Sequence, residues 1–209
     1  MTLTIWKKSD KDRFCLIKID NSVWGSLSEK ALRTLFHYRI GSTEITESEA
    51  RFLQDELLRA AWNKLLDWLA KQERSTSESK EYLSRHHFHQ SIIAQCIEEA
   101  LKKSFIDDAR YCRLLIESLL EREKSPMQIK SKLVEKRLPT SLWEPILEEL
   151  TSPQLQRSII RTQAEKTYLR YRHLDKRECY EKCLTALYRK GFALDDIRDV
   201  VAGLVFNKQ

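Results

Sequence analysis

The chain has 209 residues, 42% hydrophobic and 33% charged, with a formal net charge of +6. That length suits one large domain or two small ones. A mean hydropathy of −0.52 and the lack of any apolar run near ~18 residues argue against a membrane span. Four glycines and four prolines in the whole chain leave no glycine cluster to cradle a phosphate, which excludes a Rossmann domain or a P-loop and favours helix.

The charge is unevenly placed. Residues 1–58 carry nine basic and nine acidic side chains, residues 59–150 carry 16 and 15, and residues 151–209 carry 12 and seven. The last quarter therefore holds nearly all the excess, which fits either a polyanionic partner or a solvated helical face that happens to be basic. Met1 to Trp6, followed by Lys7 and Lys8, lacks the basic-then-apolar order of a signal peptide. The five cysteines, Cys15, Cys96, Cys112, Cys179 and Cys183, are an odd count that fits small buried hydrophobes in a reducing, cytoplasmic setting.

The first stretch is rich in β-branched and aromatic residues. Leu3 to Trp6 and Arg13 to Ile19 flank the polar Ser9-Asp10-Lys11-Asp12, so a β-hairpin is predicted. Asp20-Asn21-Ser22 makes a second turn before Val23-Trp24, a candidate third strand. A lone hairpin is marginal in water, so this element is expected to pack on a helix. Ser26-Leu27-Ser28-Glu29 reads as a capping box opening a short helix to about Tyr38, with Gly41 at its exit. Thr46-Glu47-Ser48-Glu49 is a second capping box, starting a long helix to about Gln72 in which Trp62, Leu65, Leu66 and Leu69 form one apolar stripe. The same spacing returns at Cys112, Leu115, Ile116 and Leu119, and more loosely at Ile160, Ala164, Thr167, Tyr168 and Tyr171.

From there the pattern repeats. Shifting residues 78–100 by 50 lands on 128–150, and shifting those by 54 lands on 182–204. In this register Leu83, Leu133 and Leu187 coincide, then Phe88, Leu138 and Phe192, then Ile93, Trp143 and Ile197. Cys96, Ile146 and Val200 follow, then Ile97, Leu147 and Val201. Each copy is a short helix, a tight turn at His87, Arg137 or Gly191, and a second short helix, with a longer helix before the pair. The predicted fold is mainly α: three tandem three-helix repeats forming an elongated, curved body with one continuous core, after a small N-terminal β-hairpin and helix. The division expected is 1–45 for the hairpin and short helix, then repeats at 46–105, 106–151 and 152–209.

In the middle copy Phe105-Ile106-Asp107-Asp108-Ala109-Arg110-Tyr111, Ser125-Pro126-Met127-Gln128-Ile129-Lys130 and Lys132-Leu133-Val134-Glu135-Lys136-Arg137-Leu138 follow in order. They resemble the RecX pattern of a leucine–aspartate–aspartate step, a glycine–proline helix start and a lysine–glycine–isoleucine turn. Leu187-Tyr188-Arg189-Lys190-Gly191-Phe192 is similar to that family's arginine–arginine–glycine–phenylalanine turn, and Glu73-Arg74-Ser75 with Glu78 to its arginine–glutamate–tyrosine–serine entry. The resemblance covers residues 60–200 well and the first 50 more loosely. Ser125, Arg137 and His87 stand where the family has glycines, so the turns are strained, by about 1 kcal/mol each, wherever φ is positive.

The resemblance implies a negative regulator of RecA recombinase that modulates homologous recombination, DNA repair and the SOS response. Such proteins lie in the groove of the RecA–single-stranded DNA filament, bridge neighbouring subunits, and suppress ATP hydrolysis, strand exchange and co-protease activity. They also bind DNA weakly and without sequence preference. The expectation is thus a monomeric cytoplasmic protein that is not an enzyme and carries no cofactor.

The residues bear on this directly. Asp107-Asp108 is the most catalytic-looking pair, but one-apart carboxylates diverge around a helix, and the position suits a helix cap better than a Mg²⁺ nuclease site. His86, His87, His89 and Cys96 lack the ligand spacing of a zinc site. No serine stands on a glycine-flanked nucleophile turn. The cations are the stronger signal. Arg157, Arg161, Lys166, Arg170, Arg172, Lys176, Arg177, Lys182, Arg189 and Lys190 face only Glu165, Asp175, Glu178 and Glu181 over the same stretch. Lys130, Lys132, Lys136 and Arg137 border the middle turn and are partly countered by Glu135. These fourteen cations are the predicted filament- and DNA-binding residues, through salt-sensitive phosphate neutralisation. Of the interleaved tyrosines, at least two of Tyr168, Tyr171 and Tyr188 are expected in the core, and the remainder could stack on unpaired bases. A stand-alone helix-turn-helix DNA-binding protein is the alternative, to be recognised by tight sequence-specific duplex binding.

Overall fold

The computed structural model describes residues 1–206 apart from residues 8, 10, 12 and 36–38. The chain is mainly helical with a small N-terminal sheet, and it divides into two compact units, Met1–Asp108 and Ala109–Gln209.

The first unit opens with strands β1 (Thr2–Trp6), β2 (Phe14–Ile19) and β3 (Ser22–Ser28), helix α1 (Glu29–Leu35) and strand β4 (Gly41–Glu44). The strands form one antiparallel sheet in the order β3-β2-β1-β4. Alternation puts Leu3, Ile5, Cys15, Ile17, Ile19 and Leu27 on the buried side. Asp20 and Asn21 turn β2 into β3 with φ of 47° and 64°, the two-residue geometry that matches strand twist. The expected hairpin is thus joined by the candidate third strand, as β3, and by β4, which the sequence did not show. β4 is exposed throughout and offers no apolar alternation to read; backbone pairing with β1 and side-chain bonds such as Thr4 to Ser42 at 3.0 Å hold it. Gly41, expected at a helix exit, begins this strand. β3 also runs two residues further than the capping box placed it, and the Ser28 hydroxyl accepts from the Ala31 N–H in place of Ser26. The expected end of that helix near Tyr38 falls outside the described residues.

Helices α2 (Glu47–Leu69), α3 (Thr76–Arg85) and α4 (Gln90–Lys102) complete this unit. The Thr46–Glu49 capping box forms as the spacing predicts. Ala50, Leu53, Leu57, Ala61 and Leu65 make the fully buried stripe of α2, so the predicted stripe of Trp62, Leu65, Leu66 and Leu69 is one of its flanks. Gly25 lets α2 and the α3–α4 turn approach the sheet: a Cβ there would sit 2.8 Å from the Phe88 ring and 2.9 Å from Leu57.

The second unit repeats the pattern twice, as α5 (Asp108–Glu121), α6 (Pro126–Glu135) and α7 (Thr140–Leu150), then α8 (Pro153–Tyr171), α9 (Lys176–Arg189) and α10 (Leu194–Phe206). The three short-helix pairs share one hydrogen-bond scheme. Phe88, Leu138 and Phe192 donate their N–H groups to the carbonyls of Leu83, Leu133 and Leu187 at 3.2–3.3 Å. His87, Arg137 and Gly191 donate to Ser84, Val134 and Tyr188 at 2.8 Å. These are Schellman closures, each sealed by an apolar contact across the turn. All six apolar residues are buried, as the repeat register requires. The turn residues have φ of 63°, 56° and 85°, so His87 and Arg137 carry the strain expected of missing glycines. Ser125 does not: at φ −68° it N-caps α6 in a capping box with Gln128, a position that needs no glycine.

The buried side chains fall into three clusters instead of one continuous core. One joins the sheet to α2, α3 and α4, one lies within α5, α6 and α7, and one within α8, α9 and α10. Leu120 packs on both of the last two.

Candidate nucleic-acid interface

The predicted cations all lie on the second unit, and helix geometry sorts them. α8 buries Ile159, Ile160, Ala164 and Thr167. At ~100° per residue, Arg157 and Arg161 stand on one side of that stripe and Lys166 and Arg170 on the other, roughly 180° away. Each pair shares a face, but the two pairs do not. Arg161 holds Glu165 at 3.3 Å, whereas Arg157 and Arg170 are exposed with no carboxylate in contact among the described residues.

The Lys166 side is where charge accumulates. Lys166 Nζ lies 2.5 Å from Glu123 Oε2, and Gln163 Nε2 donates to the same oxygen at 2.7 Å. Lys190 Nζ in turn donates to Gln163 Oε1 at 2.8 Å. Burial pushes the Lys190 ammonium below the ordinary lysine range, and Arg170, Lys166 and Lys124 push it the same way. Glu123, the opposing charge, is held below the ordinary carboxylate range first by the hydrogen bond from Lys166. Three other cations thus act on Lys190, with one carboxylate among them. A phosphate entering this cluster would push the Lys190 ammonium back toward the ordinary lysine range.

Tertiary packing places Lys190 there. Ser125 Oγ donates to the Lys190 carbonyl at 2.6 Å, seating the α9–α10 turn on the start of α6. Gly191 permits the contact, since a Cβ on it would meet the Met127 Cβ at 2.7 Å and Ser125 Oγ at 2.9 Å. Lys132 and Arg189 line the same depression as Lys124 and Lys190. Lys132 is tied to Glu135 at 2.7 Å, while Arg189 is exposed with no acidic partner.

The remaining predicted residues are spread more widely. Arg172 is the C-cap of α8, Lys176 and Arg177 start α9, and all three are exposed. Arg177 and Lys182 pair with Glu181 and Glu178 at 3.5 and 3.4 Å. Lys130 is exposed on α6, Lys136 is its half-buried C-cap, and Arg137 is exposed on the turn. Tyr168 and Tyr171 pack against the third cluster as expected, and so does Tyr180, whose ring lies 5.5 Å from Phe206. Tyr188, 59% exposed, is the tyrosine of this set left open for stacking on a base. Lys124 and Gln163 were missed in the sequence because their partners lie 66 and 27 to 40 residues away; no local pattern marks them.

The other chemistry-bearing residues have structural partners. Asp108 Oδ1 accepts from the Thr76 N–H at 2.7 Å, satisfying an orphan donor at the first turn of α3. His89 N-caps α4 and stacks on Trp24 at 4.4 Å, and His86 meets Tyr82 edge-on at 4.7 Å. All five cysteines are buried, and none forms a disulfide. Burial pushes the Cys96 thiol to about 11, and burial with Cys179 beside it pushes Cys183 to about 12. Among the described residues no helix is long and apolar enough to cross a membrane, and no group of His, Cys, Asp and Glu is arranged to hold a metal ion.

Comparison with known proteins meets this architecture at several points. A family model described as "RecX, third three-helix domain" matches residues 156–201, the segment holding most of the predicted cations. The regulatory protein RecX of Streptococcus equi subsp. equi is 29% identical over 93% of this chain and 74% of its own length. That of Streptococcus gordonii is 28% identical over 91% and 73%. Among solved structures, RecX from Lactobacillus salivarius superposes with a TM-score of 0.64 at 27% identity, covering 70% of this chain and 96% of its own. A second crystal structure of a regulatory protein RecX, at 23% identity, shares the fold with a TM-score of 0.66 over 94% of this chain and 99% of its own. The relatives bear the name of a regulatory protein and not of an enzyme. Fold, repeat register and relatives agree: along nearly its whole length the chain is similar to regulatory proteins of the RecX family.

Proposed function

We propose that this protein is a negative regulator of RecA recombinase, which binds the groove of the RecA–single-stranded DNA filament and lowers its ATPase, strand-exchange and co-protease activities. The observation that carries the proposal is the cation cluster of Lys124, Lys166 and Arg170 about Lys190, with Glu123 as the carboxylate among them, and with Arg157, Arg172, Lys176 and Arg189 exposed and without an acidic partner among the described residues. Such side chains neutralise backbone phosphates and release counterions, giving affinity that ignores base sequence. A regulator that must bind any filament regardless of the recombining sequence needs that property. Similarity to the RecX regulatory proteins supports the choice of partner.

The division into an N-terminal sheet module at 1–45 and helical modules at 46–105, 106–151 and 152–209 belongs to the same proposal, with the third module supplying most of the phosphate contacts. The protein acts as a monomer that contacts single-stranded DNA weakly by itself and tightly only with the recombinase. The test is a titration of the ATPase of a RecA–single-stranded DNA filament. The expected result is inhibition at or below one protein per recombinase subunit. An unchanged ATPase together with an unchanged filament length at low salt would overturn the proposal.

A further inference from the structure

The second unit holds an apolar cleft that nothing above uses. It has a volume of about 580 Å³, within the range of ligand and peptide pockets. Leu120, Met127, Val134, Ile159 and Phe192 line it. Met127 is 65% exposed and Val134 60%, high for large apolar side chains that face a concavity. Their neighbours in the repeat offer a contrast: Ile129 and Leu133, on the same helix, are fully buried. α6 thus carries two apolar faces, one spent on the core of its own module and one left unpartnered.

The rim indicates what covers it. Lys124 and Lys130 border the cleft, and the adjoining depression, which shares Lys124, Met127, Ser131 and Gly191 with it, adds Lys132, Arg189 and Lys190. Against these five cations stand Asp196 in the cleft and Glu135 in the depression, and Glu135 is already tied to Lys132. Among the described residues, Lys130 and Arg189 contact no carboxylate. A nucleic-acid strand would satisfy the cations but leave an apolar floor facing phosphates. A second copy of this basic chain would bring like charge against like. The complement to an apolar floor with a cationic rim is a peptide segment with apolar anchors flanked by carboxylates.

We propose that this cleft binds an acidic, apolar-anchored segment of a partner protein, separately from the phosphate contacts of the cation cluster. Met127 is the adaptable part of the floor, an unbranched thioether that repacks around an anchor at little cost. Lys130, on the rim away from that cluster, then pairs with a flanking carboxylate and fixes the direction of the segment. The inference rests on a cleft that the proposed phosphate contacts do not require, so either can fail alone.

The chain has two methionines, Met1 and Met127, so a ¹³C-methyl-methionine spectrum of the full-length protein reports the cleft through one resonance and the N-terminus through the other. The probes are three: a 14-residue peptide with leucines at helical spacing flanked by glutamates, the same peptide with lysines for glutamates, and an oligo-dT of 15 nucleotides. The expected result is a saturable shift of the Met127 methyl with the acidic peptide alone, with Met1 unmoved. Val134→Glu, at an exposed position that should leave the melting temperature within a few degrees, should weaken the acidic peptide at least tenfold and leave oligo-dT affinity unchanged. Lys130→Glu should weaken the acidic peptide less than Val134→Glu does, and should lower the salt dependence of that binding. A Met127 shift with oligo-dT or with the lysine peptide, a concentration-dependent shift of the protein alone that signals self-association, or no shift with the acidic peptide would each overturn the proposal.

Discussion

Replacing Arg170, Arg172 and Arg177 together by glutamate should remove binding while sparing the fold. All three side chains are exposed, and Arg170 and Arg172 contact no carboxylate. Arg177 pairs with Glu181 at 3.5 Å with both partners solvated, a contact worth ~0–1 kcal/mol. Arg170 and Arg172 lie at the C-terminus of α8, where a cation gains ~0.3–1 kcal/mol from the helix dipole that an anion forfeits. Arg177 lies in the first turn of α9, where glutamate gains a similar amount. A like-charge repulsion between positions 177 and 181 costs ~0.2–0.5 kcal/mol. The net loss is about 1 kcal/mol, a melting-temperature change of roughly 2–4 °C for a chain of this size. Binding responds differently. Each phosphate contact on a single strand contributes about 0.7 to the slope of log affinity against log salt, so losing three lowers the slope by about 2. Between 50 and 200 mM salt the unaltered protein should therefore lose about 20-fold more affinity for oligo-dT than the variant does. Fluorescence anisotropy across that salt range measures both quantities, and the filament ATPase checks that inhibition is lost in parallel. A fall in melting temperature beyond about 10 °C, or an unchanged salt slope, would refute the assignment of these residues to a solvent-facing binding surface.

Three other perturbations probe the scaffold. Leu133→Ala should do the reverse of the charge reversal: Leu133 is fully buried, its loss should cost about 2–5 kcal/mol in urea unfolding, and oligo-dT affinity at low temperature should hold. His87→Gly, at φ 63°, should stabilise by roughly 0.5–1 kcal/mol, the relief of left-handed strain less the added freedom of the unfolded chain, whereas Gly191→Ala should destabilise because a Cβ would add contact at 2.7 Å to a φ of 85°. Thermal melts of the two side by side should move in opposite directions, and the same sign for both would count against the turn assignment. Glu123 titrates below the ordinary carboxylate value of 4.5 in the folded protein, so its contribution is present above that pH and lost as pH falls through the folded value. The melting temperature of Glu123→Gln should therefore depend less steeply on pH between 6 and 3 than that of the unaltered chain; parallel curves would show that the carboxylate is not coupled to folding.

How much of this was legible in the sequence depends on the distance over which each feature is decided. The capping box at Thr46, the closures at His87, Arg137 and Gly191, and the burial of Leu83, Leu133 and Leu187 follow from residues within two helical turns of one another. Periodicity, caps and the repeat register therefore sufficed to derive them. The basic character of the last module is likewise a property of composition. β4 escaped because exposed Gly41 to Glu44 carry no hydrophobic alternation, and only the free edge of β1 makes them a strand. The grouping of the cations escaped for a similar reason. Spacing pairs Lys166 with Arg170, but the approach of Glu123, Lys124 and Lys190 joins segments up to 66 residues apart, through the Ser125–Lys190 bond and the bare backbone of Gly191. Local hydrogen bonding is written within a few residues of chain; the meeting of side chains from three elements is a packing outcome, and it alone decided which charges add, which are cancelled and which apolar face was left uncovered.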